Sequence, residues 1–141
     1  MEEMAQDQYV EFVVGEVKYA ITIHHIHEII RIQEITQIPN HKPFVKGVIN
    51  LRGKVLPVVD LREKMGLECA AVTKLTRILV VDISDDVYGV IVDQVNRVAT
   101  LTDIVPPPEY AVQAGQELMA GIAQEKDKLI NILDARRIFT D

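Results

Sequence analysis

The sequence predicts an all-β fold with short helices, built from two similar modules packed as one unit. The first observation behind this is an internal echo. Tyr19-Ala20-Ile21-Thr22-Ile23 returns 69 residues later as Tyr88-Gly89-Val90-Ile91-Val92. The same offset pairs Ile26 with Val95, Ile29 with Val98, Ile30 with Ala99, Ile32 with Leu101, Ile35 with Ile104 and Pro39 with Pro108. At an offset of 74 the match resumes, with Gly47 on Gly121, Val55 on Leu129, Leu56 on Ile130, Val58 and Val59 on Ile132 and Leu133, Asp60 on Asp134, and Arg62 on Arg136. The second observation is the texture of the chain: short β-branched runs bounded by turn residues at close spacing, as in a sandwich or barrel. The third is length. The 141 residues hold one domain or two fused subdomains, and half a chain of this size buries a poor core by itself. A period of about 70 residues is too long for a solenoid. The expectation is a single unit over residues 1–141, with modules at 9–74 and 75–141. Closing each five-strand set into a barrel would leave no free sheet edge.

The elements follow in order. Val10, Phe12 and Val14 alternate with Tyr9, Glu11 and Val13, the pattern of a strand with one buried face. Gly15-Glu16 turns the chain into a second strand, Val17 to Ile23. Further strands are expected at Ile26–Ile32, Val48–Leu51 and Val55–Val59, with Arg52-Gly53 as a hairpin turn, since glycine accepts the positive φ that tight turns need. The second set falls at Arg77–Ile83, Val87–Val92, Val95–Leu101, Gly121–Gln124 and Leu129–Leu133. Ser84-Asp85-Asp86 reads as another hairpin turn.

Short helices interrupt the strands. Asp60 caps a helix through Met65, with Glu63 at the third helical position as in a capping box and Gly66 as the stop. Asp134 plays the same part for Ala135–Phe139. Asn40 is placed to cap a turn containing Pro43 and Phe44. Thr102-Asp103 is placed to open another that Pro106-Pro107-Pro108 closes. Residues 106–116 hold no clear element and read as a surface loop.

Composition removes several function classes. Lysine and arginine total 15 against 21 acids, a net charge of −6. That disfavours non-specific binding to nucleic acid or to anionic membrane. A single cysteine, Cys69, excludes an internal disulfide and suits a reducing compartment. The start, Met1-Glu2-Glu3-Met4, is acidic and lacks the basic region of a signal peptide. No apolar run approaches the roughly 18 residues of a membrane span, so direct membrane insertion is not expected.

Catalytic chemistry finds little support. Histidines 24, 25, 27 and 41 invite a metal reading. On a strand, however, His25 and His27 would share one face while His24 points away. Two ligands do not make a site, and no Cys-x-x-Cys or His-Glu-x-x-His accompanies them. There is no Gly-rich phosphate loop and no Gly-x-Ser-x-Gly elbow. Ser84, the one serine, sits in a turn. Cys69 has acidic neighbours that would raise its pKa. No catalytic residue, metal or cofactor is therefore assigned. A single-strand nucleic-acid barrel needs stacked aromatics on a basic groove. This chain has three Phe, four Tyr and no Trp.

What remains is a barrel protein whose surface is its function, and here the residues carry a specific resemblance. The run Lys46-Gly47-Val48-Ile49-Asn50-Leu51-Arg52-Gly53-Lys54-Val55-Leu56-Pro57-Val58-Val59-Asp60-Leu61-Arg62 resembles the central motif of the CheW family, the adaptors of bacterial chemotaxis arrays. Tyr19-Ala20-Ile21 leading to Ile26-His27-Glu28-Ile29 is similar to that family's second and third strands. Tyr88 to Asp93 and Pro106 to Tyr110 are similar to later segments. The resemblance runs from about Tyr9 to Phe139.

It implies two five-stranded SH3-like barrels with short helices and no cofactor. It implies a cytoplasmic, non-catalytic adaptor, recruited to membrane-associated arrays. Such an adaptor couples the cytoplasmic tips of methyl-accepting chemoreceptors to the regulatory domain of the histidine kinase CheA. Glu28 and Arg52 correspond to polar positions at the family's binding surface. A receptor tip is a helical hairpin, and a helix needs an apolar groove with polar edges. Ile23, Ile26, Val48, Val95 and Val98 are candidate lining where the modules meet, and each reads equally as core. Gly47 belongs to the same partner-binding set, although its counterpart Gly121 gives it a structural reading too. Two other readings stay open: a coupling protein of a non-motility chemosensory pathway, and a single-strand nucleic-acid barrel.

Overall fold

The computed structural model describes residues 8–39, 44–107 and 116–139. Among them run strands β1 (Gln8–Val14), β2 (Val17–Thr22), β3 (Ile26–Arg31), β4 (Val45–Leu51) and β5 (Lys54–Asp60), followed by helix α1 (Leu61–Lys64). The second series is β6 (Arg77–Ile83), β7 (Asp86–Val92), β8 (Gln94–Thr100), β9 (Met119–Glu125) and β10 (Lys128–Leu133), followed by helix α2 (Ala135–Ile138). The two series repeat each other element for element, as the 69- and 74-residue echoes require.

The strands do not assemble in two sequential sets. One five-stranded sheet has the order β8-β1-β2-β10-β9, and the other β3-β6-β7-β5-β4. Each barrel combines the first two strands of one repeat with the last three of the other. A boundary at 74/75 therefore separates the repeats but not the barrels. The exchange is reciprocal: β1 pairs β8 as β6 pairs β3, and β2 runs parallel to β10 as β7 runs parallel to β5. Even the isolated bridges match. Thr36 pairs Val48 and Val105 pairs Ile122, positions related by the offsets 69 and 74.

Burial explains why exchange is favoured. Each barrel has its own small interior, Ala20, Ala99, Leu101, Ala123, Ile130 and Ile132 in one and Ile49, Leu56, Val58, Ile78 and Val80 in the other. The larger core lies between them. Val10, Phe12 and Val14 from β1 meet Leu79 and Val81 from β6, with Val59, Tyr88, Val90, Leu61, Met65 and Ile138. Strands β1 and β6 are thus covered on both faces, which suits the near-continuous apolar run of Ile78 to Val81. It corrects the one-sided reading of β1. Glu11, on the face expected to meet water, is 1% exposed. It stands inside its barrel where offset 69 places Val80 in the other. Its carboxylate is met by Asn96 at 2.8 Å and by Arg97 Nε at 3.1 Å, as a buried charge requires.

Local signals hold with some corrections. Arg52 and Gly53 have φ of 52° and 87°, and Ser84 and Asp85 have 50° and 73°, the paired positive φ of a type I′ hairpin turn. Asp60 and Asp134 each accept from the backbone N–H two residues on, Arg62 and Arg136, at 3.0 Å. Ile23–His25 forms a 3-10 turn rather than the end of a strand, because Thr22 Oγ1 accepts from His24 N and diverts the backbone. Residues 102–106 form no helix. Val105 exchanges backbone hydrogen bonds with Ile122 at 3.0 and 2.8 Å, an extended pairing that a helix would forfeit. The cap at Asn40, and most of the loop expected over 106–116, lie outside the described residues.

Candidate functional site

Glu28 and Arg52 come together. Glu28 projects from the middle of β3, and Arg52 heads the tight turn between β4 and β5. The Arg52 guanidinium donates directly to the Glu28 carboxylate. The Arg52 side chain is 67% exposed and that of Glu28 27%, so the pair is a surface feature anchored on its acidic side. His27 Nε2 stands 3.7 Å from the same carboxylate. The contact ties β3 to the β4–β5 hairpin, which are the two ends of their sheet. It also lies at a turn whose arginine holds a left-handed backbone, a conformation that costs an L-residue energy.

The other barrel closes with the opposite polarity. Arg97 on β8 donates to Glu125 at the end of β9, and its Nη2 also reaches the buried Glu11 at 2.9 Å. Offset 69 carries Glu28 to Arg97, and offset 74 carries Arg52 to Lys126, beside Glu125. Sequence reading missed this second pair. Applying the repeat to polar positions would have pointed to Arg97 and to the turn at Lys126, but not to Glu125 as the partner.

The apolar candidates divide. Ile26 and Val95, equivalent in the repeat, are half-buried and pack against the inter-barrel core. Val98 is 51% exposed, and its equivalent Ile29, next to Glu28, is 40% exposed. Val48 is half-buried on the same strand as Gly47. Ile23 sits in the 3-10 turn with His24 and His25, a few residues before Glu28. Among the described residues, His25 Nδ1 is the buried side-chain polar atom that lacks a hydrogen-bond partner. Gly47 has a separate role: a Cβ there would stand 2.3 Å from the carbonyl oxygen of Thr36. The same holds for Gly121, at 2.8 Å from that of Val105. These glycines let each barrel's closing bridge form.

Comparison with known proteins is consistent across kinds. The family model for the CheW-like domain matches residues 8–141. The chain belongs to the CheW family. The chemotaxis protein CheW of Helicobacter pylori is 37% identical over 133 residues, covering 93% of this chain and 80% of that protein. CheW of Bacillus subtilis is 34% identical over 134 residues, covering 94% and 86%. The crystal structure of the scaffolding protein TtCheW from Thermoanaerobacter tengcongensis superposes with a TM-score of 0.88 at 34% identity, covering 96% of this chain and 94% of that one. CheW proteins form a non-catalytic adaptor family, and this chain is a chemotaxis coupling adaptor that links chemoreceptors to CheA. Among the described residues no helix is long and apolar enough to cross a membrane.

Within this CheW fold a polar staple holds the two barrels in register. Asp93 lies where the chain passes from β7 in one barrel to β8 in the other. Its carboxylate takes Arg62 Nε at 3.0 Å and Nη2 at 2.7 Å, and the N–H of Gly15 at 2.8 Å. Its own N–H donates to the Val13 carbonyl. Partial burial pushes the Asp93 carboxyl up. The Arg62 hydrogen bonds, the Gly15 N–H and the Arg62 charge outweigh it and hold the group below its ordinary value. A depressed carboxyl stabilises the fold above its unfolded pKa, and that stabilisation is lost as pH falls through the folded pKa. Asp93→Asn should therefore cost about 1–3 kcal/mol near neutral pH. The difference from wild type should shrink as acid protonates Asp93. Urea unfolding at neutral pH and below the ordinary carboxylate range checks this. An equal deficit at both would show that the charge is not responsible.

The histidines do not form the expected strand geometry. His24 and His25 lie in the 3-10 turn and His27 on β3, while His41 lies outside the described residues. An acid–thiol group that sequence reading did not single out is closer knit. Ligand atoms of Asp60, Glu63 and Cys69 lie within 4.8 Å of one another. Lys46 Nζ already serves it, at 3.9 Å from Asp60, 3.6 Å from Glu63 and 3.8 Å from the Cys69 sulfur. Cys69 Sγ donates to Glu63 at 2.9 Å. That hydrogen bond, above all, pushes the thiol's pKa up, as the acidic surroundings predicted. Glu63 is thus turned to Lys46 and Cys69, not back to the Asp60 N–H as a capping box would have it.

Proposed function

We propose that this protein couples the cytoplasmic tips of methyl-accepting chemoreceptors to the regulatory domain of CheA within membrane-associated receptor arrays. The observation that carries the reading is the exposed Glu28–Arg52 pair, which joins β3 to the β4–β5 hairpin. Opposite charges fixed in one geometry orient a partner and select against wrong ones more than they add affinity. A helix face also needs apolar area beside such a polar edge. In this reading Glu28 and Arg52 form the polar edge of the partner-binding surface, with Ile23, Ile26, Val48, Val95 and Val98 as its apolar side. Gly47 acts through the backbone it allows.

The test is a pull-down with the CheA regulatory domain and with a receptor-tip hairpin, run beside a shift assay with single-stranded oligonucleotides. Retention of both protein partners and no oligonucleotide shift is the expected result. Capture of the oligonucleotide, with neither protein retained, would replace the adaptor reading by a nucleic-acid barrel.

A further inference from the structure

The barrel that contains β1 and β2 carries a cavity of about 390 Å³ lined by Lys18, Arg97, Glu125, Lys126, Asp127 and Lys128. Two of these cations also reach the buried Glu11, Arg97 Nη2 at 2.9 Å and Lys18 Nζ at 3.8 Å. A buried charge is costly unless it is paired, and the repeat shows that the fold does not need one here. Offset 69 carries Glu11 to Val80 and Lys18 to Val87, so the other barrel is built with valine at both places. The acids of the cavity are mostly spent. Arg97 engages both Glu11 and Glu125. That leaves Lys18 a distant share of Glu11, and Asp127 as the further carboxylate beside Lys126 and Lys128. Lys18 and Lys128 stand on the parallel neighbours β2 and β10. The side-chain contact with Lys18, and then its charge, push the Lys128 pKa down. Lys126 is held in its turn at a φ of 59°. Like charges gathered around a cavity repel one another and draw in counter-ions, and a bound anion relieves the repulsion.

We propose that this cavity binds a small phosphoryl anion of more than one charge, of the pyrophosphate class, through Lys18, Lys126 and Lys128. Lysine serves phosphate as a point charge. A phosphoryl group offers three acceptor oxygens and about −1.5 to −2 of charge, where a carboxylate has two oxygens and one charge. Three ammonium groups from β2, the β9–β10 turn and β10 suit the first better than the second. Arg97 neutralises Glu125, and Asp127 alone among the lining residues opposes the anion. Glu11 is a positioning residue, holding Lys18 and Arg97 at the cavity wall. A lipid headgroup is the poorer source of the phosphoryl group, since a chain at −6 is repelled by an anionic surface. The site lies on the other barrel from the Glu28–Arg52 pair and does not depend on the coupling role.

The probe is pyrophosphate, titrated into isotope-labelled full chain at constant ionic strength and followed by amide shifts. Saturable changes at Lys18, Arg97, Lys126 and Lys128 are expected, with acetate at least tenfold weaker. Lys18→Gln and Lys128→Gln should each weaken pyrophosphate at least fivefold. Lys54→Gln, the change at the position equivalent to Lys128 in the other barrel, should leave it unaltered. If one of the two cavity variants fails to fold, the other and the Lys54→Gln control still decide. No saturable change at millimolar pyrophosphate, or shifts mapping elsewhere, would overturn the proposal. Acetate binding as tightly as pyrophosphate, or an equal loss in Lys54→Gln, would do the same by showing an adventitious ion only. Binding to phosphatidic-acid vesicles without binding to pyrophosphate would also overturn it, by making a membrane the source.

Discussion

Gly47→Ala is expected to lower stability by roughly 3 kcal/mol, because overpacking against backbone cannot relax as overpacking against a side chain can. The new methyl would stand 2.3 Å from the Thr36 oxygen and 2.9 Å from its carbonyl carbon. Relief requires Thr36 and Gly47 to part, which breaks the Thr36–Val48 pair of hydrogen bonds at 2.9 and 2.8 Å that joins the chain after β3 to β4. For a chain of this size the melting temperature should fall by about 10 °C. Gly121→Ala should show the same kind of loss against Val105. Gly53→Ala is the control. Nothing lies within 4 Å of its Cβ position, so only the left-handed φ of 87° opposes the change, at about 1 kcal/mol. A Gly47→Ala protein that melts like wild type would remove the packing explanation and return Gly47 to the partner surface alone.

Arg52→Glu should do the reverse, sparing the fold and damaging the function. An exposed ion pair contributes about 0–1 kcal/mol to stability, and glutamate meets the same backbone cost as arginine at this turn. The change sets two carboxylates side by side at a surface of a chain already at −6. Like charges facing each other at an interface cost several kcal/mol, and every 1.4 kcal/mol is about tenfold in affinity. Binding to receptor tip, kinase regulatory domain or both should fall by about a hundredfold. A thermal melt beside the two titrations separates the outcomes. Unfolding would make Arg52 structural, and normal melting with undiminished binding to both partners would place the surface elsewhere. The double variant Glu28→Arg with Arg52→Glu refines the result. It restores the pair inside the protein, so binding that stays weak in the double variant points to recognition by the partner.

Of the site, Glu28 and Arg52 could be read in advance because both fall in segments that resemble the CheW family's. Their proximity was expected from their opposite signs and their positions in the family motif, and barrel closure brings it about across a separation of 24 residues. The Asp93 staple was invisible because its partners Gly15 and Arg62 are far apart in the chain, one in the β1–β2 turn of one barrel and the other in helix α1 after β5 of the other. Glu11 misled outright. A charged residue between Val10 and Phe12 has the pattern of a solvated face, and only the neighbouring strand β8 supplies the Asn96 and Arg97 that make its burial tolerable.

The sequence by itself determined the repeat, the strand runs, the two Asp-capped helices and the hairpin turns at Arg52-Gly53 and Ser84-Asp85-Asp86. All of these depend on contacts within a few residues, where side-chain periodicity and backbone φ are decisive. It also contained the family motif. The tertiary structure decided which strands share a barrel. The echo would be identical whether each repeat closed on itself or traded strands with the other, because the same residue types line equivalent positions either way. What distinguishes the two is the seam between β1 and β6, whose apolar faces are covered only when the repeats interlock.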